Sequence, residues 1–471
     1  MKNKYLLFLL GSFLFLNFAC FQDNDDVIRT ADASEIKDFI WRGMNRFYLY
    51  KATSPDLSDD RFESTSEYQN FLRSFDSPEA LFDKLTVAID EFSFLVDDYI
   101  TLENALNGIS KNNGMEFSLN RYPDDPTKIF GFVRLILPNT DAEQRGLKRG
   151  IIFNKIDGQQ LTEANFRSLI SPDEYTITLA TLQDESITEQ ETTITLTKSE
   201  YTENPVFITN IYEEEGKKIG YLMYNAFTDS FAEELNVAFG TFKTENIDEL
   251  VLDLRYNGGG NVETAKDLAS MITGQFNDKI FSTEEWNEQF QEAFEKDNPD
   301  RLINRFDTKI SNGQDINSLQ LNRVFILTTR SSASASELVI NGLNPYIDVI
   351  QVGTATRGKF QASITVYDSD NFRRQRANPG HTYAMQPLVL KSLNSVGFTD
   401  YFEGFAPDVE LAEDLSNPGV LGMPEEPLFR AALDIIFARK NSNQNKIKQY
   451  TIIGESGENT LNFQKMFKPS L

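Results

Sequence analysis

The sequence predicts a multidomain protein of mixed α+β and α/β class, with a helical N-terminal region, a β-rich middle segment and an α/β layered core. Three observations predict it. At 471 residues the chain is long enough for several cores, a domain taking roughly 100 to 200 residues. Its composition, 40% hydrophobic and 25% charged with 38 Phe, is that of a folded globular protein. The hydrophobic pattern also changes twice, near Gly114 and near Pro205, from helical spacing to short strands and turns, and then to strand-like runs alternating with amphipathic ones.

The helical region spans residues 31–110. Asp32-Ala33-Ser34-Glu35 reads as a capping box followed by Ile36, Phe39, Ile40, Met44 and Phe47 at helical spacing. Ser77-Pro78-Glu79 opens a second helix with a cap and a first-turn Pro. The acidic stretch Asp90 to Tyr99 reads as a solvated helix end rather than as metal or acid-base chemistry. In residues 111–200, Gly131 to Leu137 forms a strand, Asn139 to Gly150 a short helix with glycine turns, and Ile151 to Gly158 a strand ending in an Asp-Gly turn. This run resembles a PDZ domain. The resemblance implies a sheet edge to which a peptide C-terminus adds as a strand, its carboxylate held by backbone N–H groups. The equivalent of that carboxylate loop is Gly114-Met115-Glu116-Phe117, which lacks the usual Gly-apolar-Gly form.

Residues 201–440 alternate apolar strands and amphipathic helices, as in an α/β layer structure. Within them, the segment from Gln275 to Asn317 is polar and reads as helical. The tail, residues 441–471, is too polar for an ordered element to be expected.

Three motifs in the core carry chemistry. Arg330-Ser331-Ser332-Ala333-Ser334-Ala335-Ser336-Glu337 follows the apolar run Val324 to Leu327 and leads into a helix pattern. A serine at a strand-to-helix junction can expose its hydroxyl where helix N-terminal N–H groups face developing negative charge, although small polar residues are also the ordinary choice at a helix start. Gly353 to Lys359 places a lysine after a strand and a glycine turn, 25 residues beyond Ser334. Such an amine can serve as a base once desolvation lowers its pKa; a surface lysine after a turn is the bland alternative. Leu250 to Asn261 is an apolar strand running into Gly258-Gly259-Gly260, and such glycines let backbone N–H groups approach a substrate. It lacks the Gly-Lys-Ser/Thr ending of a phosphate-binding loop.

Together, Asp253 to Gly260, Ser334 to Glu337, Gly358-Lys359 and the downstream Gly404-Phe405-Ala406-Pro407-Asp408 resemble the C-terminal processing, or tail-specific, family of serine peptidases, over about residues 30 to 435. The resemblance implies a ClpP/crotonase-like protease core and a serine-type peptidase without cofactor that acts on protein or peptide substrates. It further implies Ser334 as nucleophile, Lys359 as general base, and an oxyanion hole built from N–H groups of Ala335 and of Gly258 or Gly259. Where the family often has a Gln four positions after the Lys, this chain has Ser363, with Gln361 between. Strand alternation would put residues 359, 361 and 363 on one face, so either Gln361 or Ser363 could orient the amine, Ser363 being favoured by position. A peptide-binding protein that kept this fold and lost activity is the alternative reading.

The rest of the inventory narrows the chemistry. With 45 basic and 71 acidic residues the formal charge is -26, which repels phosphates, so no nucleic-acid partner is expected. One Cys and one His disfavour Cys-His nucleophiles, His-rich metal sites and disulfides, and leave His381 as the sole candidate for a Ser-His pair. His381 sits in Pro379-Gly380-His381-Thr382 and reads as an exposed loop residue.

Residues 1–19 have the layout of a signal peptide, with Lys2 and Lys4 ahead of an apolar stretch from Tyr5 to Leu16 that is too short for a confident membrane span. Leu16-Asn17-Phe18-Ala19-Cys20 resembles the cleavage box of bacterial lipoproteins. The resemblance implies lipidation at Cys20, a tether over residues 20–30 and a membrane-anchored protein facing the periplasm or the cell surface.

Overall fold

The computed structural model describes residues 29–183, 186–439 and 450–468. The expected signal peptide and the expected lipidation position, Cys20, lie outside the described residues. No helix among the described residues is long and apolar enough to cross a membrane.

The N-terminal region is helical as its pattern requires. The helix Ala33–Phe47 starts at Asp32, whose carboxylate accepts from Ser34 N–H and Glu35 N–H while Glu35 accepts from Asp32 N–H. It buries Phe39, Ile40, Met44 and Phe47. The helix Pro78–Leu85 starts at Ser77, whose hydroxyl accepts from Ala80 N–H. These apolar faces join the same core cluster as the central sheet, so the region is a wall of the main body rather than an appendage.

A β-rich unit follows. Its sheet runs Met115–Arg121, Ile129–Ile136, Ile152–Ile156, Glu174–Gln183 and Ser186–Thr197, all antiparallel. Short helices Asp141–Gln144 and Phe166–Ile170 accompany it, and it encloses a core of its own around Phe117, Leu119, Phe153 and Phe166. A two-stranded ribbon, Ile109–Asn112 with Ser199–Thr202, closes its base.

The central six-stranded sheet has the order Val206–Glu214, Lys217–Tyr224, Glu249–Asp253, Arg323–Thr328, Asp348–Gly353 and Val409–Glu410, parallel after the first hairpin. The inner strands Lys217–Tyr224, Glu249–Asp253 and Arg323–Thr328 are buried on both faces, which is why they read as continuous apolar runs. Leu222, Leu252, Val324 and Ile326 face the helices Ala232–Glu245, Val262–Ile272 and Ala335–Leu343. Tyr221, Met223, Val251, Phe325 and Leu327 face the helix Pro427–Ile436. Arg255, just past the strand Glu249–Asp253, is fully buried: its Nε donates to Asp253, and Nη1 and Nη2 donate to Glu426 at 2.6 and 2.9 Å. It thereby ties the sheet end to the start of the helix Pro427–Ile436.

Two elements differ from the sequence reading. Residues 275–317 are not simply helical: Ile280–Trp286 and Ile303–Arg305 are strands, flanking the helix Glu288–Asp297. The strand is hidden in the sequence because its inward face is polar, with Ser282 and Glu284 buried and satisfied by Asn304, Trp286 and Lys468. The tail is also ordered in part. Ile452–Glu455 adds to Met115–Arg121, and Met466–Lys468 lies between Gly260–Asn261 and Gln361–Ile364. A segment of low hydrophobicity can be ordered this way because backbone pairing, and not its own core, holds it.

Candidate active site

The three sequence motifs meet at the C-terminal ends of three neighbouring parallel strands. Register pairs Asp253 with Leu327 and Thr328 with Gly353, so the loops that follow these strands emerge side by side, the usual place for a ligand crevice in such sheets. Backbone and side-chain bonds stitch them together. Ala333 N–H and Ser336 Oγ donate to Asn257 O, Ser332 Oγ donates to Leu254 O, and Arg357 N–H donates to Ser332 O.

Ser334 stands immediately before the helix Ala335–Leu343 with φ +67° and ψ -114°, a conformation that costs a non-glycine residue on the order of 1–3 kcal/mol. Its residue is fully buried and its hydroxyl has no hydrogen-bond partner among the described residues. Both features suit a hydroxyl held for chemistry. Ala335, the first residue of the helix, and Gly258 have N–H groups with no acceptor among the described residues.

Gly259 differs from the expectation. Its N–H donates to Asn257 Oδ1 at 2.9 Å, the side chain of Asn257 folding back across its own turn, so this N–H is not free to bind an oxyanion. Gly259 has another reason to be glycine: φ is +110°, and a Cβ there would stand 2.6 Å from Ser334 Cβ and 2.8 Å from Lys465 O.

Lys359 is fully buried. Burial, with the positive charge of Lys465 nearby, holds its amine well below the ordinary lysine range. Its Nζ donates to Gln464 O at 2.9 Å and lies 4.6 Å from the ring centre of Phe92. Ser363 does not orient it. Ser363 Oγ donates to Gln386 Oε1 at 2.7 Å, and Gln361 Nε2 donates to Tyr50 Oη. The alternation argument fails because Lys359 lies before the strand Gln361–Ile364 begins, and a register shift between Ala362 and Ser363 turns the later residues.

What unites serine and lysine is Glu337, a residue the sequence reading did not assign to the site. Its Oε2 accepts from Ser334 N–H at 2.7 Å and Lys359 N–H at 2.9 Å; its Oε1 accepts from Gly358 N–H and Thr356 Oγ1, both at 2.6 Å. Burial raises its pKa, and these four bonds oppose that rise. The Ser-x-x-Glu spacing of a capping box was the available signal. The loop Asp90 to Phe94 was likewise read as a solvated helix end. Instead Asp90 accepts from Phe92 N–H and Ser93 N–H, turning the chain so that Phe92 walls the Lys359 pocket.

The 114–117 loop is not an open carboxylate nest. Gly114 N–H and Met115 N–H are taken by the side chains of Asn112 and Asn113, and Phe117 N–H donates to Ser456 Oγ. Burial raises Glu116 to about 7, which makes the loop a poor host for a second carboxyl group. Met115, Glu116 and Phe117 nonetheless line, with Tyr256, Gly258 and Gln464, a cleft of about 580 Å³ between the β-rich unit and the core.

His381 is not available as a base for Ser334. Its side chain is 5% exposed rather than free in a loop; Nε2 contacts Asp368 Oδ2 at 3.0 Å and Nδ1 accepts from Tyr383 N–H.

Comparison with known proteins fits this geometry. Residues 218–375 match the profile of peptidase family S41 and residues 35–94 that of the peptidase S41 N-terminal domain. The first span contains the glycine turn, Ser334 and Lys359; the second ends at the loop that walls the Lys359 pocket. A carboxyl-terminal-processing protease of Picosynechococcus sp. is 24% identical over 460 residues, covering 93% of this chain and 97% of that protein. A carboxy-terminal-processing protease of Bartonella bacilliformis is 25% identical over 305 residues, covering 57% and 62%. A crystal structure from Bacteroides fragilis assigned to the S41 proteases superposes with a TM-score of 0.64 at 25% identity, over 86% of this chain and 98% of that one.

Proposed function

We propose that this chain, a serine peptidase of the C-terminal processing (S41) family, cleaves protein or peptide substrates through an acyl-enzyme formed on Ser334, with Lys359 as general base. The observation that carries the reading is a buried lysine of depressed pKa sharing one carboxylate oxygen of Glu337 with the backbone of a buried, unpartnered serine. A neutral amine can take the Ser334 proton as Oγ attacks the scissile carbonyl, and can return it to the leaving amine. Water then hydrolyses the ester. N–H groups of Gly258 and Ala335 are the assigned oxyanion donors, at a helix N-terminus where developing negative charge is favoured. The β-rich unit at residues 111–200 is read as a PDZ-like module whose strand Met115–Arg121 would take an extended peptide on the side where Ile452–Glu455 now pairs.

The pH dependence follows from the sign of the Lys359 shift. Only the neutral amine accepts a proton, so activity is lost as pH falls through the Lys359 pKa and is retained above it. Hydrolysis of a fluorogenic peptide library is expected to show a Ser334-dependent kcat/KM that rises with pH, with its midpoint well below the ordinary value of about 10.4. A midpoint at the ordinary lysine value, or no Ser334-dependent turnover on any member, refutes the mechanism.

We further place the protein outside the cytoplasm, tethered through lipid on Cys20, on the layout of residues 1–20. Cys20→Ser is expected to move the protein from the membrane to the soluble fraction; unchanged fractionation refutes the anchor.

A further inference from the structure

The groove beside Ser334 is filled by the chain's own C-terminal segment. Met466–Lys468 is the middle strand of a parallel three-strand arrangement, with Met466 opposite Gly260 and Phe467 opposite both Asn261 and Ser363. Just before it, Gln464 O holds Lys359 Nζ, and Gln464 N lies 3.1 Å from where a Cβ on Gly258 would stand. Lys465 O lies 2.8 Å from the equivalent point on Gly259, a point only 2.9 Å from Ser334 Oγ. The segment therefore touches the base and the glycine turn, and it runs beside the nucleophile across the point that a Cβ on Gly259 would occupy.

Its side chain at position 465 enters a specific place. Lys465 Nζ donates to Phe92 O at 3.1 Å and stands 4.1 Å from the ring centre of Phe94; burial lowers its pKa to about 8, and the negative charge of Asp90 opposes that fall. A backbone carbonyl, an aromatic face and a carboxylate together select a cation. Upstream, the segment has a second hold. Ile452–Glu455 extends the β-rich sheet, Glu455 pairs with Arg134 and accepts from Ser331 Oγ, and Glu458 pairs with Arg167.

We propose that the groove beside Ser334 is a binding site for extended peptides that present a basic side chain to Phe92 and Phe94, and that residues 462–468 are its resident, self-inhibiting occupant. The proposal rests on the assignment of Ser334 and Lys359 as the catalytic pair. With Gln464 O on Lys359 Nζ, the amine is engaged away from the serine, and an incoming peptide must displace the strand. A tethered ligand acts at an effective concentration of order millimolar, so modest affinity suffices to keep the groove filled.

The test uses the full chain and a labelled peptide with the sequence of residues 460–468. In a Ser334→Ala background, fluorescence anisotropy is expected to show at least about tenfold tighter binding of this peptide when Lys465→Glu is also present than when the native tail is intact. A peptide with Ala at the position of Lys465 is expected to bind about tenfold more weakly. With Ser334 restored, Lys465→Glu is expected to raise kcat/KM on unrelated peptides. Lys465→Ala is a milder second variant should Lys465→Glu fail to fold. Binding that is equal with and without the tail substitution, absent throughout, or indifferent to the Lys465 position of the peptide overturns the proposal. Displacement by anisotropy without turnover in any variant keeps the groove assignment and refutes only the catalytic reading.

Discussion

Lys359→Ala lowers kcat/KM on any peptide substrate by about 10⁴-fold or more, and Ser334→Ala does the same, because nucleophile and base act as one unit. The expected result has a diagnostic form. The double variant is no worse than either single one, since each removal already abolishes acyl-enzyme formation. Fold is not the reason for the loss: Ser334→Ala removes a hydroxyl that bonds to nothing among the described residues, so thermal stability should change little. Lys359→Ala removes an amine that burial disfavours in its charged form, and its stability change should also be small beside its kinetic one. His381→Ala supplies the control. Its ring nitrogens bond to Asp368 and Tyr383, so activity per folded molecule should persist. Loss of turnover in His381→Ala with Lys359→Ala unaffected would sink the lysine-base mechanism.

Glu337→Ala is expected to cost both stability and rate. Four donors, Ser334 N–H, Gly358 N–H, Lys359 N–H and Thr356 Oγ1–H, lose their acceptor in a buried site. An unsatisfied buried group costs about 1–3 kcal/mol, so destabilisation of about 3 kcal/mol or more is expected in denaturant unfolding. The rate should fall by at least about a hundredfold, because small misplacement of reacting groups is costly. Glu337→Gln separates positioning from mere support. It keeps an acceptor oxygen but removes the negative charge that favours protonated Lys359. The Lys359 pKa then drops, and the rising limb of the pH profile moves to lower pH. A limb that stays in place in Glu337→Gln would show that Glu337 acts only as scaffold.

Much of the local structure was legible because it is written in short-range chemistry. The capping box at Asp32, the Ser77-Pro78 helix start, the apolar strands of the core and the serine at a strand-to-helix junction each depend on a few neighbouring residues. The errors share a different cause. Ser363 was assigned from strand alternation, but the register shift between Ala362 and Ser363 arises from pairing with a strand whose sequence position is remote. Gly259 was one of two glycines that the family resemblance offered for the oxyanion hole, but a side chain two residues earlier claims its N–H. Residues 114–117 were assigned by analogy, but Asn112, Asn113 and Ser456 occupy the donors that matter. In each case a hydrogen-bond partner decided the outcome, and partners are a property of the packed chain.

The sequence by itself determined the helical and layered class of the chain, its near-lack of His and Cys, and the three motifs whose joint spacing singled out Ser334 and Lys359. The tertiary structure alone decided what those motifs do to one another. Parallel register brought the three loops together, burial made Lys359 a candidate base, Glu337 joined its backbone to that of Ser334, and a polar tail took the groove. Local propensity and periodicity act over a few residues and survive in the sequence. Desolvation and strand pairing depend on residues from tens to more than a hundred positions apart, and they exist only once the chain has folded.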